Sequence, residues 1–142
     1  MSATEKTIVL KGKGHYDEGE ADAAISCGMA IALAADGKWD PTTATVGLAI
    51  AVEDALQGKT VNDAYADGDL VSLYYPMPGD VVNVLVVSTT NVAVGDKLAV
   101  GAGGKFAETA NGNLVALEGP GVLAADALVA CRVLSTILNT IA

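Results

Sequence analysis

Most of the chain is a succession of short apolar or alternating segments separated by Gly, Asp, Asn and Pro. Within residues 45–53, every second residue from Val46 to Val52 is apolar. That spacing is typical of a β-strand, because successive side chains of an extended chain point to opposite faces. Residues 80–88 form an almost unbroken Val-rich run, which predicts a strand buried on both faces. Strands are predicted over residues 4–10, 27–35, 45–53, 70–75, 80–88, 91–100, 105–108, 114–117 and 127–135.

Turn residues separate these predicted strands. A Gly-Asp step stands just before an apolar residue at Gly68-Asp69, at Gly79-Asp80 and, with Lys97 between, at Gly95-Asp96. In each, glycine permits the turn and the Asp side chain can accept hydrogen bonds from backbone N–H groups before the strand begins. Asp36-Gly37 predicts a tight turn, and residues 111–113 predict a hairpin. Residues 39–41 predict a corner, and residues 54–57 predict a helical turn that stops at Gly58.

The spacing of strands and turns predicts an all-β fold, a β-sandwich or barrel with room for one short helix. A βαβ fold is not favoured, because the repeated amphipathic helices that it requires are missing from the pattern. Residues 1–24 are predicted to be an extended N-terminal arm, since their polar stretch after residue 10 has no hydrophobic period. Residues 25–142 are predicted to be a single β-rich domain.

Composition and charge narrow the possible functions. The chain has 142 residues, a length that supports one domain with its own core. With 17 acidic and 8 basic side chains, the net charge is −9, which argues against nucleic acid as a partner. The apolar runs fall short of the roughly 18 residues that a membrane helix needs. The N-terminal residues do not resemble a signal peptide, so a soluble protein made inside the cell is expected.

No catalytic, cofactor-binding or metal-binding residue is predicted, and the chain is not expected to be an enzyme. Residues 101–105 superficially look like a phosphate-binding loop, but Phe106 replaces the required Ser or Thr, so a hairpin turn is predicted there. The acidic loops do not match a calcium-binding loop, because Tyr65 and Val71 occupy ligand positions. His15 is the only histidine. Cys27 and Cys131 lie in apolar surroundings and are predicted to be buried free thiols.

One ordered series of segments goes beyond general β composition. It comprises VEDALQGKT at residue 52, AYADGD at residue 64, YPMPGDVVNVL at residue 75, NVAVGDKL at residue 91 and GGKF at residue 103. The series resembles the small capsid decoration (cement) proteins of tailed bacteriophages and related viruses, over roughly residues 45–135. The resemblance implies a structural virion protein, made in the host cytoplasm, that binds the exterior of an icosahedral capsid. It also implies a homotrimer that stabilises the lattice of the major capsid protein, its expected partner.

Under this interpretation the protein contacts the capsid and its own copies through extended surfaces. Neither nucleic acid nor a membrane is an expected partner. The expected contributors are Thr7, Ile8, Val9 and Leu10 of the arm, which can add as a strand to an exposed sheet edge. The corner with Tyr74, Tyr75 and Met77 is a further candidate, as are residues 137–142. For the two tyrosines an alternative stays open, in which they lie on opposite faces of a strand and one ring is buried.

Two other functions remain as alternatives. One is a small β-barrel that binds a ligand or acts as an enzyme through its acidic loops, which requires a concave site with convergent polar residues. The other is a carrier module of the biotinyl or lipoyl type. Such a module needs a modifiable lysine on a hairpin, and Lys97 and Lys105 lack the Met-Lys context that these modules show.

Overall fold

The computed structural model describes residues 7–42 and 48–134. The beginnings of the strands predicted at 4–10 and 45–53 lie outside these residues, as do the last residue of the strand predicted at 127–135 and the candidate contact segment 137–142. In the described part the chain forms short strands and two single turns of 3₁₀ helix, Ala55–Gln57 and Ala102–Gly104. The prediction of an all-β fold is confirmed.

A first sheet contains five antiparallel strands. Their spatial order is β2 (His15–Glu20), β8 (Leu70–Tyr75), β6 (Leu48–Val52), β4 (Ala30–Leu33) and β5 (Trp39–Pro41). The outer strands β2 and β5 meet at one end, where the Asp22 N–H donates to the Trp39 carbonyl at 2.9 Å. The Trp39 indole packs on Gly19, where an added Cβ would lie 2.4 Å from the indole nitrogen. The sheet therefore curls so that its two outer strands approach each other. Gly19 is needed at this point because a side chain there would collide with the Trp39 indole.

A second sheet closes completely, because its strand pairings form a ring of five. The ring runs β9 (Val81–Val86), β12 (Phe106–Glu108), β11 (Lys97–Val100), β13 (Leu114–Ala116) and β15 (Ala127–Val133), and β15 pairs again with β9. On β9 and β15, fully buried side chains recur at every second position, and Val84 lies opposite Val129. A closed ring has few unpaired strand edges. The buried side chains of these five strands are mainly aliphatic, and Phe106 is the aromatic one among them.

The remaining strands are short pairs or additions. β1 (Val9–Lys11) adds to β9, β3 (Ile25–Ser26) pairs with β7 (Ala64–Tyr65), and β10 (Asn91–Val92) pairs with β14 (Gly121–Val122). The two sheets contact each other at Gly104, where an added Cβ would lie 2.5 Å from the Ala30 carbonyl oxygen. One continuous hydrophobic cluster includes buried residues of both sheets.

The three Gly-Asp steps form the same turn, which confirms their predicted role. Gly68, Gly79 and Gly95 have φ of 92°, 93° and 92°, in the left-handed region that favours glycine. The carboxylates of the following residues, Asp69 and Asp96, accept from the N–H three residues earlier at 2.8 and 2.9 Å. Asp80 does the same for Met77 at 2.9 Å.

Several local predictions are confirmed and others are wrong. The helical turn before Gly58 forms, with the Asp54 side chain accepting from the Leu56 N–H. The glycine-rich segment at 101–104 connects the antiparallel pair β11 and β12, as expected. Residues 39–41 form strand β5 and not a corner, because an edge strand tolerates the missing N–H of Pro41. Residues 91–100 form two strands, since the turn at Gly95 interrupts them.

The predicted hairpin at residues 111–113 is also wrong. β12 and β13 do not pair with each other, since β11 lies between them. The connecting segment therefore has to pass across β11, and it does so at Gly112. A Cβ added at Gly112 would lie 2.4 Å from the Leu98 carbonyl oxygen and 2.6 Å from its backbone nitrogen. The Asn-Gly signal thus reflects a close crossing of two backbone segments and not a tight hairpin turn.

The segment predicted as an arm contributes strands to both sheets, so the expectation of an arm or loop outside the core is corrected for residues 7–24. β1 joins β9, and β2 pairs with β8 over six residues. Ile8 and Ala21 are fully buried in the common core. The sequence of β2 concealed this because its side chains are almost all exposed, so the strand is held by backbone hydrogen bonds without a hydrophobic period.

Replacing Gly112 with alanine should destabilise the protein more than the same change at Gly37. Gly37 has φ of 83° and open space around its Cα, so alanine there costs about 1–2 kcal/mol of backbone strain. At Gly112 the new methyl group collides with backbone atoms of Leu98, and overpacking that forces backbone shifts costs about 1–3 kcal/mol or more. Urea unfolding of both variants measures the difference. Equal or smaller destabilisation at Gly112 would contradict the close crossing.

Candidate interaction surface

The structure brings the predicted contact residues of the N-terminus and the corner to neighbouring positions. We call residues 7–14 the strap. At its start the Thr7 hydroxyl donates to Glu53, and the Ile8 N–H donates to the same carboxylate at 3.0 Å. On the other side, the Asn83 side-chain amide donates to the Thr7 carbonyl at 2.7 Å, and the Asn83 N–H donates to the Ile8 carbonyl at 2.7 Å. The strap is therefore bonded to β9 and to the residue that follows β6.

The four strap residues predicted as contacts differ in exposure. Thr7 is exposed, Val9 is half-buried and Leu10 is 46% exposed. Ile8 is fully buried and packs in the hydrophobic core. Ile8 therefore anchors the strap to the body, while Thr7 and Leu10 present side chains to the outside.

The end of the strap is held by a buried carboxylate, Asp80, which is 4% exposed. One oxygen of Asp80 accepts from the Lys13 N–H at 3.0 Å. The other accepts from the Tyr74 hydroxyl at 2.5 Å and from the Met77 N–H at 2.9 Å. The Tyr74 oxygen in turn accepts from the Gly14 N–H at 2.7 Å. This network, the Asp80 cluster, joins the strap, the end of β8 and the corner before β9.

The cluster changes the acidity of both side chains. Burial alone would raise the pKa of Asp80, but the hydrogen bonds from Tyr74 and from backbone N–H groups outweigh it and hold the pKa below its ordinary value. Burial, together with the hydrogen bond to Asp80, raises the pKa of Tyr74 to about 12. At neutral pH the site therefore contains a carboxylate and a neutral phenol donor, which is the state that this bonding requires.

The three predicted corner residues have different roles. Tyr74 is 1% exposed. The structure therefore shows the alternative in which one of the two tyrosine rings is buried. Tyr75 is half-buried, with its ring edge-on to Trp39 at 6.2 Å between centroids. Met77 is 47% exposed. Of the corner residues, Met77 is thus the one available for direct contact.

A shallow groove of about 370 Å³ separates the strap from the corner. It is lined by Lys11, Gly12, Lys13, Pro78, Gly79 and Asp80. Gly12 is required here, since an added Cβ would lie 2.1 Å from the Tyr74 hydroxyl oxygen. We call the groove, together with the exposed residues Leu10 and Met77 that flank its two walls in the sequence, the strap-corner surface. The sequence revealed its outer residues and the turn at Asp80, but not the bonds of Asp80, Glu53 and Asn83 to the strap, because these bonds join residues that are 45 to 76 positions apart.

A second concave region, of about 420 Å³, lies between the second sheet, which contributes Leu128, and the segments next to the short pair β3 and β7, which contribute Cys27 and Asp63. Its charged pair, Lys105 and Asp126, is joined at 2.7 Å, so these two groups neutralise each other. Cys27 and Cys131 are free and buried, as predicted, and burial raises the pKa of each thiol to about 12. Within residues 7–42 and 48–134 there is no group of three or more side chains arranged to hold a metal ion. Over the same ranges, no helix is long and apolar enough to span a membrane.

Comparison with solved structures shows a similar fold in a viral protein. The chain is similar to the N base of the head fiber gp8.5 of bacteriophage phi29, with a TM-score of 0.58 and 16% sequence identity. The match covers 90% of this chain and 100% of that chain. At this identity the likeness establishes the fold. No protein-family model and no curated protein matches the sequence.

Truncating Ile8 to alanine should destabilise the protein by about 2–5 kcal/mol, the usual cost of emptying a buried aliphatic site. The matched change Leu10→Ala, two residues along, should cost less than about 1 kcal/mol because that side chain is half exposed. Chemical denaturation of both variants gives the comparison. If the two costs are equal and small, the strap is detached in solution.

Replacing Asp80 with asparagine should destabilise the protein by about 2–3 kcal/mol at neutral pH, since bonds to a charged acceptor are lost. The folded-state pKa of Asp80 lies below its unfolded value, so its stabilising effect is present above about pH 4. That effect is lost as the pH falls through the folded-state pKa. The stability gap between wild type and Asp80→Asn should therefore shrink at acidic pH.

Unfolding measured from pH 7 down to pH 2 tests this dependence. Asp67→Asn, which removes an exposed carboxylate, serves as the control. A gap between wild type and Asp80→Asn that does not change with pH would show that the Asp80 charge does not hold the cluster.

Proposed function

We propose that the protein is a structural component of a phage virion that binds the exterior of the capsid and stabilises the lattice of the major capsid protein. The observation that carries this proposal is the fold likeness to the phi29 head fiber base, which extends over the whole of that chain. The resemblance of residues 45–135 to capsid decoration proteins supports the same class independently, because it rests on turn and strand-start motifs in the sequence. On this proposal the protein is not an enzyme and works through surface contacts.

The strap-corner surface is the proposed attachment face. It combines exposed apolar side chains at Leu10 and Met77 with a groove bordered by Lys11 and Lys13. Apolar and Met side chains are favoured at interface centres, and the two lysines give this face a basic border on a chain of net charge −9. The Asp80 cluster fixes the strap and the corner relative to each other, so the face is formed before binding and little ordering entropy is lost.

The proposal is tested by cosedimentation of the purified full-length protein with empty capsids assembled from the major capsid protein of the same source. The wild-type protein is expected to sediment with the capsids and to raise their melting temperature. The double variant Leu10→Asp/Met77→Asp should bind at least about tenfold more weakly, because two charges would be buried in the contact. Failure of the wild-type protein to bind would overturn the proposed function.

A control variant separates attachment through this face from general surface apolarity. Leu56, in the 3₁₀ turn after β6, is 99% exposed, and Leu56→Asp introduces the same charge at a residue outside the strap and the corner. It should bind capsids like the wild type. If Leu56→Asp and the double variant lose binding equally, the strap-corner surface is not the attachment face.

The proposed active form is a homotrimer. The support is the resemblance to decoration proteins, which are commonly trimers at local threefold positions. Size-exclusion chromatography with light scattering measures the mass directly, and a trimer of the 14.2 kDa chain is expected. A monomer at all concentrations, free and on capsids, would contradict this part of the proposal without affecting attachment.

A further inference from the structure

The outer edge of β2 is the longest edge of the first sheet that pairs with no described strand. β2 pairs with β8 on one side. Among the described residues, the backbone of its other side meets β5 only past the end of the strand, at the bridge between Ala21 and Trp39, while the Trp39 indole packs on Gly19. No other described strand pairs with this edge, so the backbone groups of residues 15–20 are open there to a further strand.

The direction of the backbone groups along this edge follows from the ladder. The Ala21 N–H donates toward β8, to the Asp69 carbonyl, and the Asp22 N–H donates the other way, to Trp39. Because donors alternate along an antiparallel strand, the N–H groups of Tyr16, Glu18 and Glu20 face outward. The Glu18 N–H confirms this, since its acceptor is the neighbouring Asp17 carboxylate at 2.8 Å and not β8.

The side chains along the same edge are strongly acidic. β2 carries Asp17, Glu18 and Glu20, and of these Glu20 is paired with a lysine, Lys38, at 3.4 Å. Beyond its end, the pKa of Asp22 is raised, by partial burial first and then by the nearby carboxylates of Asp36 and Asp40. The excess negative charge keeps identical copies of this chain from pairing through this edge. It attracts a basic segment.

A groove extends from β2 across β8 to the end of β6 on one face of the sheet. Its volume is about 420 Å³, and Tyr16, Glu18, Glu53 and Ser72 contribute to its walls. The Tyr16 ring is 64% exposed and rests against Tyr74 at 4.9 Å between centroids. An exposed tyrosine face beside carboxylates suits the ammonium or guanidinium group of a partner side chain, through cation–π and charge attraction.

We propose that the outer edge of β2 binds an extended, lysine- or arginine-rich segment of a partner protein, which adds as a further strand to the first sheet. The partner backbone pairs with the outward groups of Tyr16, Glu18 and Glu20, and its basic side chains at alternate positions contact the groove. Asp17 gives up the Glu18 N–H when the strand docks. If the proposed function holds, this segment belongs to the major capsid protein. Only the source of the segment rests on the proposed function.

The probe is a fluorescent peptide of about eight residues that alternates lysine with valine, a length typical of a strand. Fluorescence anisotropy should show binding to the wild-type protein that weakens as salt increases. A peptide of equal length that alternates glutamate with valine should not bind. Hydrogen exchange of the protein should show new protection at the amides of Tyr16, Glu18 and Glu20. Peptide binding without that protection would overturn strand addition at this edge.

Two variants of one residue separate backbone pairing from charge. Glu18→Pro removes an outward N–H that β8 does not use, and proline is tolerated on such an edge. Glu18→Gln removes the same charge but keeps the N–H. Glu18→Pro should bind the lysine peptide at least about tenfold more weakly, and Glu18→Gln only a few-fold more weakly. Equal affinities for the two variants would show that charge alone holds the peptide.

Further controls separate peptide binding at this edge from effects on folding and from capsid binding. Glu108→Gln removes an exposed acid of β12 in the second sheet and should leave peptide binding unchanged. If Glu18→Pro does not fold, the exchange measurement on the wild type still decides. A protein that binds the peptide at this edge but not capsids contradicts the proposed function alone. A protein that binds capsids but not the peptide contradicts this inference alone.

Discussion

The Asp80 carboxylate is the constraint on which much of the molecule depends. A buried charge is tolerated only when donors surround it, and the donors here come from three separate segments: Tyr74 at the end of β8, Met77 in the corner and Lys13 in the strap. Satisfying one carboxylate therefore fixes where β8 ends, how the chain turns into β9 and where the N-terminal segment lies. The backbone of Asp80 also accepts from the Val133 N–H at 2.9 Å, which attaches the end of β15 to the same point.

Patterns within a few residues predicted the fold well. Strands β8 and β9 lie where period-two spacing and Val-rich composition placed them, and the three Gly-Asp turns formed as their chemistry requires. Predictions that depended on distant residues were less successful. The polar strand β2 has no hydrophobic period, since its stability comes from pairing with β8, which is some fifty residues later in the sequence. The Asn-Gly at residue 112 was interpreted as a hairpin because nothing local indicates that β11 lies between its flanking strands.

For the candidate surface too, the sequence predicted what depends on local residues and missed what depends on distant ones. The apolar residues Leu10 and Met77 were visible as unusual members of an arm and a turn, and both are about half exposed. Ile8 and Tyr74 share this apolar character, yet both are buried and support the surface from beneath. Composition identifies such residues but does not separate those that face a partner from those that hold the fold. That separation depends on the positions of Glu53, Asn83 and Asp80, and these arise from the tertiary structure.

The strap also has a consequence for the order in which the chain acquires its structure. Thr7 is bonded to Asn83, 76 residues later, so the strap cannot dock until the chain has been synthesised beyond residue 83. Loops of this length are closed late in folding, because their entropy is lost before their contacts are gained. All strands of the first sheet lie within residues 15–75 and are synthesised before β9. The strap can therefore add to β9 only after the strands of the first sheet have been made.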